Sequence, residues 1–190
     1  MSKDNNSFLK ESYPFRFIGC HSNTYIYQFV STGKKNVVKI VTISPVKYFD
    51  FGYNLGFGNL EYDKDNNVII NDRSVDNNKD WEKVLNTVFI CIIDFLLKEP
   101  KAIIGFYGNT YHKQILYKRK ITAFLPDLIK YFDVFGGFAT YSLEKTEIKT
   151  NDSNVLVYKE PDDVHITNIE VFTPQKSKDY DFILINSKEN

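Results

Sequence analysis

Cysteine, methionine, tryptophan and histidine are all scarce in this 190-residue chain, which has two, one, one and three of them. Two cysteines do not make a disulfide framework, and a domain of this length buries roughly 70% of its unfolded surface without one. Cys91 falls inside an apolar helical run and reads as a small core hydrophobe, while Cys20 lies near a strand end. His21, His112 and His165 are far apart, in no H-x-x-x-H or HExxH spacing and beside no cluster of Cys, Asp or Glu, so no metal site is expected. An excess of one charge is also missing. With 24 basic and 24 acidic residues, the formal net charge is zero, without the basic surplus that usually marks duplex nucleic-acid binding. The longest apolar run, residues 88–97, is broken by Asp94 and is about half of what a bilayer span needs. Residues 1–11 are polar and lack the apolar stretch of a secretory signal. The expectation is a cytoplasmic chain without membrane association. A P-loop, a GxGxxG turn and a GxSxG elbow are all missing, and no cofactor is expected.

Aromatic residues are abundant, with 16 Phe and 13 Tyr, and they suit half-buried strands. Length points to one domain, placed at residues 12–187 behind a flexible lead-in over 1–11. Residues 13–18 and 25–30 alternate in the period of strands, and the β-branched run 37–43 follows a Gly-containing turn at 31–34, which makes a hairpin. A further strand is expected within 49–62. Its Gly52, Gly56 and Gly58 signal bulges or close backbone approach. A polar turn at 63–67 leads to a short strand at 68–70 and a polar loop at 72–78.

The clearest element starts near Asp80. Trp81, Val84, Leu85, Val88, Ile92, Phe95 and Leu96 recur at helical spacing, and Phe89, Ile93 and Leu97 add a second stripe. Asn77, Asn78 and Asp80 are N-cap candidates, and Pro100 ends the helix. Residues 102–107 read as a buried strand. Gly108, Asn109 and Thr110 turn the chain, with Thr110 capping a second helix that runs to about Phe124 before Pro126 disrupts it. A strand at 134–141, a polar loop at 145–154 and closing strands at 166–172 and 180–185 complete the chain. The fold class is α+β, a mixed and mostly antiparallel twisted sheet with two main helices.

Polar residues at the turns are the candidate ligand-binding set: Asn54, Asn59, Asn78, Asp80, Thr110 and Tyr117. The glycine-rich stretch 53–59 is either a loop presenting N–H groups to a ligand or a bulged strand admitting aromatic neighbours. Residues 77–80 open a helix, a natural anion site, but without glycine and with Asp80 to repel phosphate they read better as capping. Tyr117 is either a general acid or a core tyrosine. Lys113, Lys118, Arg119 and Lys120 ride on the second helix, as a solvated face or as a phosphate-contacting one.

Three segments carry a resemblance: 53–59 (YNLGFGN), 77–87 (NNKDWEKVLNT) and 108–117 (GNTYHKQILY). They resemble the signature stretches of a family of small uncharacterised proteins, found mainly in Bacteroidota and catalogued as a domain of unknown function. The resemblance covers nearly the whole chain and implies no established activity. The family pattern commonly has Asp where Asn59 stands, Gly at Lys79, and Arg at Lys113 and Ile115. The order of a long helix, a short strand and a helix with a Leu-Tyr pair is also similar to the second half of GNAT acetyltransferases. That likeness implies a GNAT-like strand and helix order. In those enzymes a Gly-rich loop at the long helix holds the acetyl-CoA phosphates. Residues 76–80 have no glycine there, which weighs against ordinary acetyl-CoA binding. No reaction is assigned. The leading reading is a non-enzymatic interaction protein on a GNAT-like scaffold with a protein partner. The alternatives are an acyl-CoA- or nucleotide-dependent transferase and a nucleic-acid-binding protein.

Overall fold

A computed structural model describes residues 11–46, 52–72, 74, 76–106, 111–141, 145–150, 153–158 and 164–188. The order of elements is β1 (Phe15–His21), β2 (Thr24–Thr32), β3 (Asn36–Pro45), β4 (Gly52–Tyr62), β5 (Val68–Asn71), α1 (Trp81–Lys98), β6 (Ile103–Phe106), α2 (Tyr111–Leu128), β7 (Phe132–Tyr141), β8 (Lys145–Thr150), β9 (Ser153–Tyr158), β10 (Val164–Val171) and β11 (Phe182–Ser187). Nine strands form one sheet in the order β1-β2-β3-β4-β6-β11-β7-β10, with β5 added to β4. Every pairing is antiparallel except β4 with β6. That parallel contact spans only Gly52–Ile103, Tyr53–Ile104 and Asn54–Gly105. Farther along, β5 takes over the same edge of β4, from Asn59–Asn71 to Tyr62–Val68. The two parallel strands therefore part beyond Asn54, and the chain that leaves β4 returns through α1 to β6.

Both helices lie on one face of the sheet, because a period of two sends alternate side chains to opposite faces. Tyr27, Val41, Leu55, Ile104, Ile183 and Val134 point to this face and share one core with Val88, Phe89, Phe95 and Leu96 of α1 and Ile121 and Phe124 of α2. Phe95 meets Tyr25 and Tyr53 edge-on at centroid distances of 4.8 and 4.9 Å. Phe89 stacks on Phe106 and meets Phe124 edge-on, which ties α1 to β6 and α2. Cys91 is fully buried, and burial pushes its thiol up to about 12, so it is inert packing as expected.

Several boundaries differ from the sequence reading. The glycines of β4 make no bulge against β3, where the register runs unbroken from Lys39–Asn59 to Pro45–Tyr53. They permit close approach instead: a Cβ on Gly58 would stand 2.7 Å from the Asn71 carbonyl oxygen. The stretch 145–154, expected as a loop, contains β8 and the start of β9, a hairpin whose register runs from Lys145–Tyr158 to Thr150–Ser153. Its charged residues hid a period of two in the sequence. Ser22 and Asn23 form an unforeseen two-residue hairpin turn with φ of 48° and 60°, the left-handed pair that such turns require. Helix α2 continues past Pro126 to Leu128. The proline costs the bond to the Thr122 carbonyl, but Ile129 N–H still donates to the Leu125 carbonyl at 3.0 Å, so the ladder resumes beyond it. Leu97, assigned to a second apolar stripe, is exposed although Phe95 and Leu96 beside it are fully buried, because it lies on the side of α1 turned away from the sheet. The lead-in expected over 1–11 lies outside the described residues except for Glu11, whose carbonyl accepts from Asn86.

Candidate functional site

The segment before α1 is held in an uncommon backbone form. Asn77 and Lys79 both have left-handed φ, 57° and 61°, and they flank the buried Asn78. The kinks turn the Asn78 amide back onto the β2–β3 hairpin. Its Nδ2 donates to Ser31 Oγ and to the Lys35 carbonyl, both at 2.9 Å, and its Oδ1 accepts from the Lys35 N–H at 3.2 Å. Gly33 leaves room for this: a Cβ there would stand 2.9 Å from the Asn78 side chain. Asp80 Oδ2 accepts from Ser31 Oγ and from the Tyr13 hydroxyl, both at 2.6 Å. Tyr13 in turn receives the Thr32 N–H.

Lys39 anchors the other end of the network. It points inward from β3 and is 8% exposed. Its ammonium donates to Asp76 Oδ2 at 2.5 Å and to Asn59 Oδ1 at 2.6 Å. A charge this deep is tolerated only when paired and hydrogen-bonded. Burial pulls the Asp76 carboxyl upward, but the Lys39 bond, the Asn78 N–H and the charges of Lys39 and Lys35 outweigh it, and its pKa lies below the usual value. A carboxyl depressed in the folded state stabilises fully above its unfolded pKa of about 3.9, and that contribution is lost as pH falls through the folded value. Acid titration of unfolding stability is therefore expected to show a loss below about pH 4 that Asp76→Asn removes. An unchanged acid limb in that variant would detach Asp76 from the network.

Beside this network lies a cleft of about 420 Å³, lined among others by Lys39, Asp76, Phe57, Trp81, Leu116 and Tyr117. It opens between β4, the start of α1 and α2. Phe57 and Phe106 meet the Tyr117 ring at centroid distances of 6.3 and 6.5 Å. Burial, and then the nearby Asp72 carboxylate, raise the Tyr117 hydroxyl above its ordinary pKa, so it is a proton donor and not a phenolate. No hydrogen bond from it to another described residue is present, and Lys39 makes two of its three possible bonds. Chemically the cleft offers aromatic and aliphatic walls with two donors, which suits one acceptor on an otherwise apolar group.

The sequence candidates divide clearly. Asn59, Asn78 and Asp80 belong to one network, and Asn78, Asp80 and Tyr117 line the cleft. Asn54 is exposed on the opposite face, paired with Ser44 and Gly105, and does not join them. Thr110, with Gly108 and Asn109, lies outside the described residues. Capping describes the 77–80 segment only in part. Asp80 occupies the N-cap position and its carbonyl accepts the Val84 N–H, but its carboxylate makes no capping bond and reaches across to β2 instead. The basic set on α2 is not one solvated face. Lys118 is buried and donates to the Lys178 carbonyl, with burial lowering its pKa against Asp181 and Asp179. The Lys120 ammonium stands 4.6 Å over the Phe124 ring, Arg119 is open to solvent, and the Lys113 side chain lies outside the described residues.

Tyr13, Ser31, Lys39 and Asp76 were not singled out from sequence. Lys39 had a legible signal: it interrupts the β-branched run 37–43 on the same side as Val41 and Ile43, where an inward charge demands a partner. Ser31 had none, since a serine beside a turn is ordinary.

Among the described residues no three His, Cys, Asp or Glu side chains form a metal-binding group. No described helix is long and apolar enough to cross a membrane. Fold and site together define an α+β protein with a large, mostly antiparallel sheet, two helices on one face and an internal polar network beside a cleft. The chain belongs to a family of unknown function, DUF6934, whose pattern matches residues 9–160. No curated protein and no solved structure matches it.

Proposed function

We propose that this chain is a non-enzymatic interaction protein on a GNAT-like scaffold, and that it engages a protein partner through the face of the sheet opposite the helices. The observation carrying this reading is the composition of that face. Alternation places Val30 and Val38 on it as a cross-strand pair, and likewise Leu60 with Ile70, Tyr62 with Val68, and Phe135 with both Leu184 and Val171. Among the described strand residues, only Arg16 and Asp133 bring a side-chain charge of Asp, Glu, Lys or Arg to it. Antiparallel sheets with one wet face normally alternate apolar with polar. A large apolar face marks an interaction surface. The scaffold assignment is supported by the order of α1, β6 and α2 after the β1–β4 meander. Purification of the full chain from its own host is expected to yield a stoichiometric protein complex, identified by mass spectrometry. A partner-free monomer overturns the proposal.

The cleft favours a second reading, a transferase that takes an acyl-CoA or nucleotide ligand, with the Tyr117 hydroxyl donating a hydrogen bond to it. A ligand at 100 times its dissociation constant adds about 2.7 kcal/mol, roughly 5–10 °C in melting temperature for a chain of this size. Thermal melting with acetyl-CoA and with nucleotides is expected to show such a rise for one of them, reduced in Tyr117→Phe. Melting unmoved by any of them sinks this reading.

A further inference from the structure

Resting on the interaction reading above, we infer that the occupant of the helix-free sheet face is a second copy of this chain, packed sheet on sheet about a two-fold axis. Five apolar side chains of the face are exposed, Val30 39%, Ile70 43%, Val68 60%, Tyr62 68% and Val171 69%, around half-buried Val38, Leu60, Phe135 and Leu184 and a buried Ile40. These residues span the sheet from β2 to β10, so the apolar character runs across its width and is not one local spot. No described helix packs there, since both helices share the opposite face.

Dimensions favour self-association. Eight strands at about 4.8 Å spacing make the sheet roughly 34 Å wide, and paired segments of six or seven residues add roughly 20 Å along the strands. A face of roughly 700 Å² is close to the ~800 Å² per partner of a standard stable interface. Face-to-face packing of two sheets sets the layers about 10 Å apart and interdigitates the side chains that point between them.

Symmetry and charge point the same way. An isologous two-fold contact needs one self-complementary patch, and sheet faces with the same twist pack on one another without matching pockets. The formal net charge of zero leaves no long-range repulsion between copies. Association through the sheet edges is disfavoured, because the end strands carry bulges, β1 between Phe17 and Gly19 and β10 between Ile166 and Asn168, and the third edge strand, β5, is only four residues long. The helix-free face is then the surface open to a second molecule.

Sedimentation equilibrium of the full chain tests the inference. The expected mass is twice the 22.2 kDa of the chain. The double variant Val30→Lys with Ile70→Lys is expected to sediment as a monomer, with its dissociation constant raised at least 100-fold. Both positions are partly exposed, so its helical circular dichroism and melting should match the parent, and Leu97→Lys on the helix side should remain dimeric. A parent that is dimeric alongside an equally dimeric double variant overturns the inference. A monomeric parent that co-purifies with a different protein, whose binding the double variant loses, overturns the second copy and leaves the interaction reading standing. A monomeric parent without any partner overturns both.

Discussion

Replacing Lys39 with methionine is expected to lower unfolding stability by about 3–5 kcal/mol, the range for breaking a buried ion pair from one side. The magnitude comes from what stays behind. Asp76, whose side chain is 15% exposed, loses its counter-charge, and Asn59 Oδ1 loses its donor. Methionine fills similar volume, so cavity formation adds little and electrostatics decides the result. Two further measurements separate this account from simple loss of packing. In Lys39→Met, burial of Asp76 is opposed mainly by the Asn78 N–H and Lys35, so its carboxyl rises. A raised carboxyl favours the protonated folded state, and the cost of the substitution should shrink as pH falls. Adding Asp76→Leu should recover part of the loss, because a buried pair replaced by apolar groups is often neutral. Urea unfolding of both variants at several pH values gives the answer. A cost below about 1 kcal/mol, or one that grows toward acid, would show that Lys39 is hydrated and the network unimportant.

Phe95→Ala is expected to cost about 3–5 kcal/mol, and roughly 6–20 °C in melting temperature for a chain of this length. Phe95 of α1 is fully buried against β2 and β4, with Tyr25 and Tyr53 against its ring, so truncation loses transfer energy, leaves a cavity and removes two edge-on aromatic contacts. The effect also reaches the far end of α1. Tyr25 donates to the Glu99 carboxylate, a bond that heads the causes lifting its hydroxyl above the ordinary range, and Tyr25 is held in place by Phe95. Leu97→Ala, two residues on but exposed, should change stability by no more than about 0.5 kcal/mol. Calorimetry of the two variants decides between them. Similar losses in both would mean that α1 is rotated from the orientation described, with its apolar arc facing elsewhere.

Helix α1 was legible because its apolar residues repeat with a single period over five turns, and burial of that arc follows from the hydrophobic effect alone. The β2–β3 hairpin was legible for a similar reason, an alternating aromatic stretch and a β-branched run joined by a glycine turn. The β8–β9 hairpin was not, since lysine, glutamate and threonine carry strand periodicity without the apolar contrast that reveals it. The glycines of β4 carried two readings, a bulge or close backbone approach, and the second holds. Whether a strand glycine makes a bulge or admits a neighbour depends on what lies across from it, here the backbone of Asn71 over Gly58.

The candidate site shows the same division more sharply. Asn78 and Asp80 drew attention as helix-start residues, and they do lie at the start of α1. Their true partners, Ser31, Lys35 and Tyr13, are 43 to 67 residues away in sequence, and no local pattern joins them. Asn54 and Asn59 stand five residues apart on one strand, an odd spacing that sends them to opposite faces, so only one of them could reach the network.

By itself, then, the sequence determined an α+β chain with an inert buried Cys91, a buried long helix and strands of known period, because these follow from local stereochemistry and from hydrophobic contrast between neighbours. Tertiary structure alone decided that β4 and β6 run parallel and then part, that Lys39 is an inward charge neutralised by Asp76, and that both described α-helices cover the same face of the sheet. Those features depend on which strands lie side by side, and strand order is set by the summed burial of distant segments that no short window of residues contains.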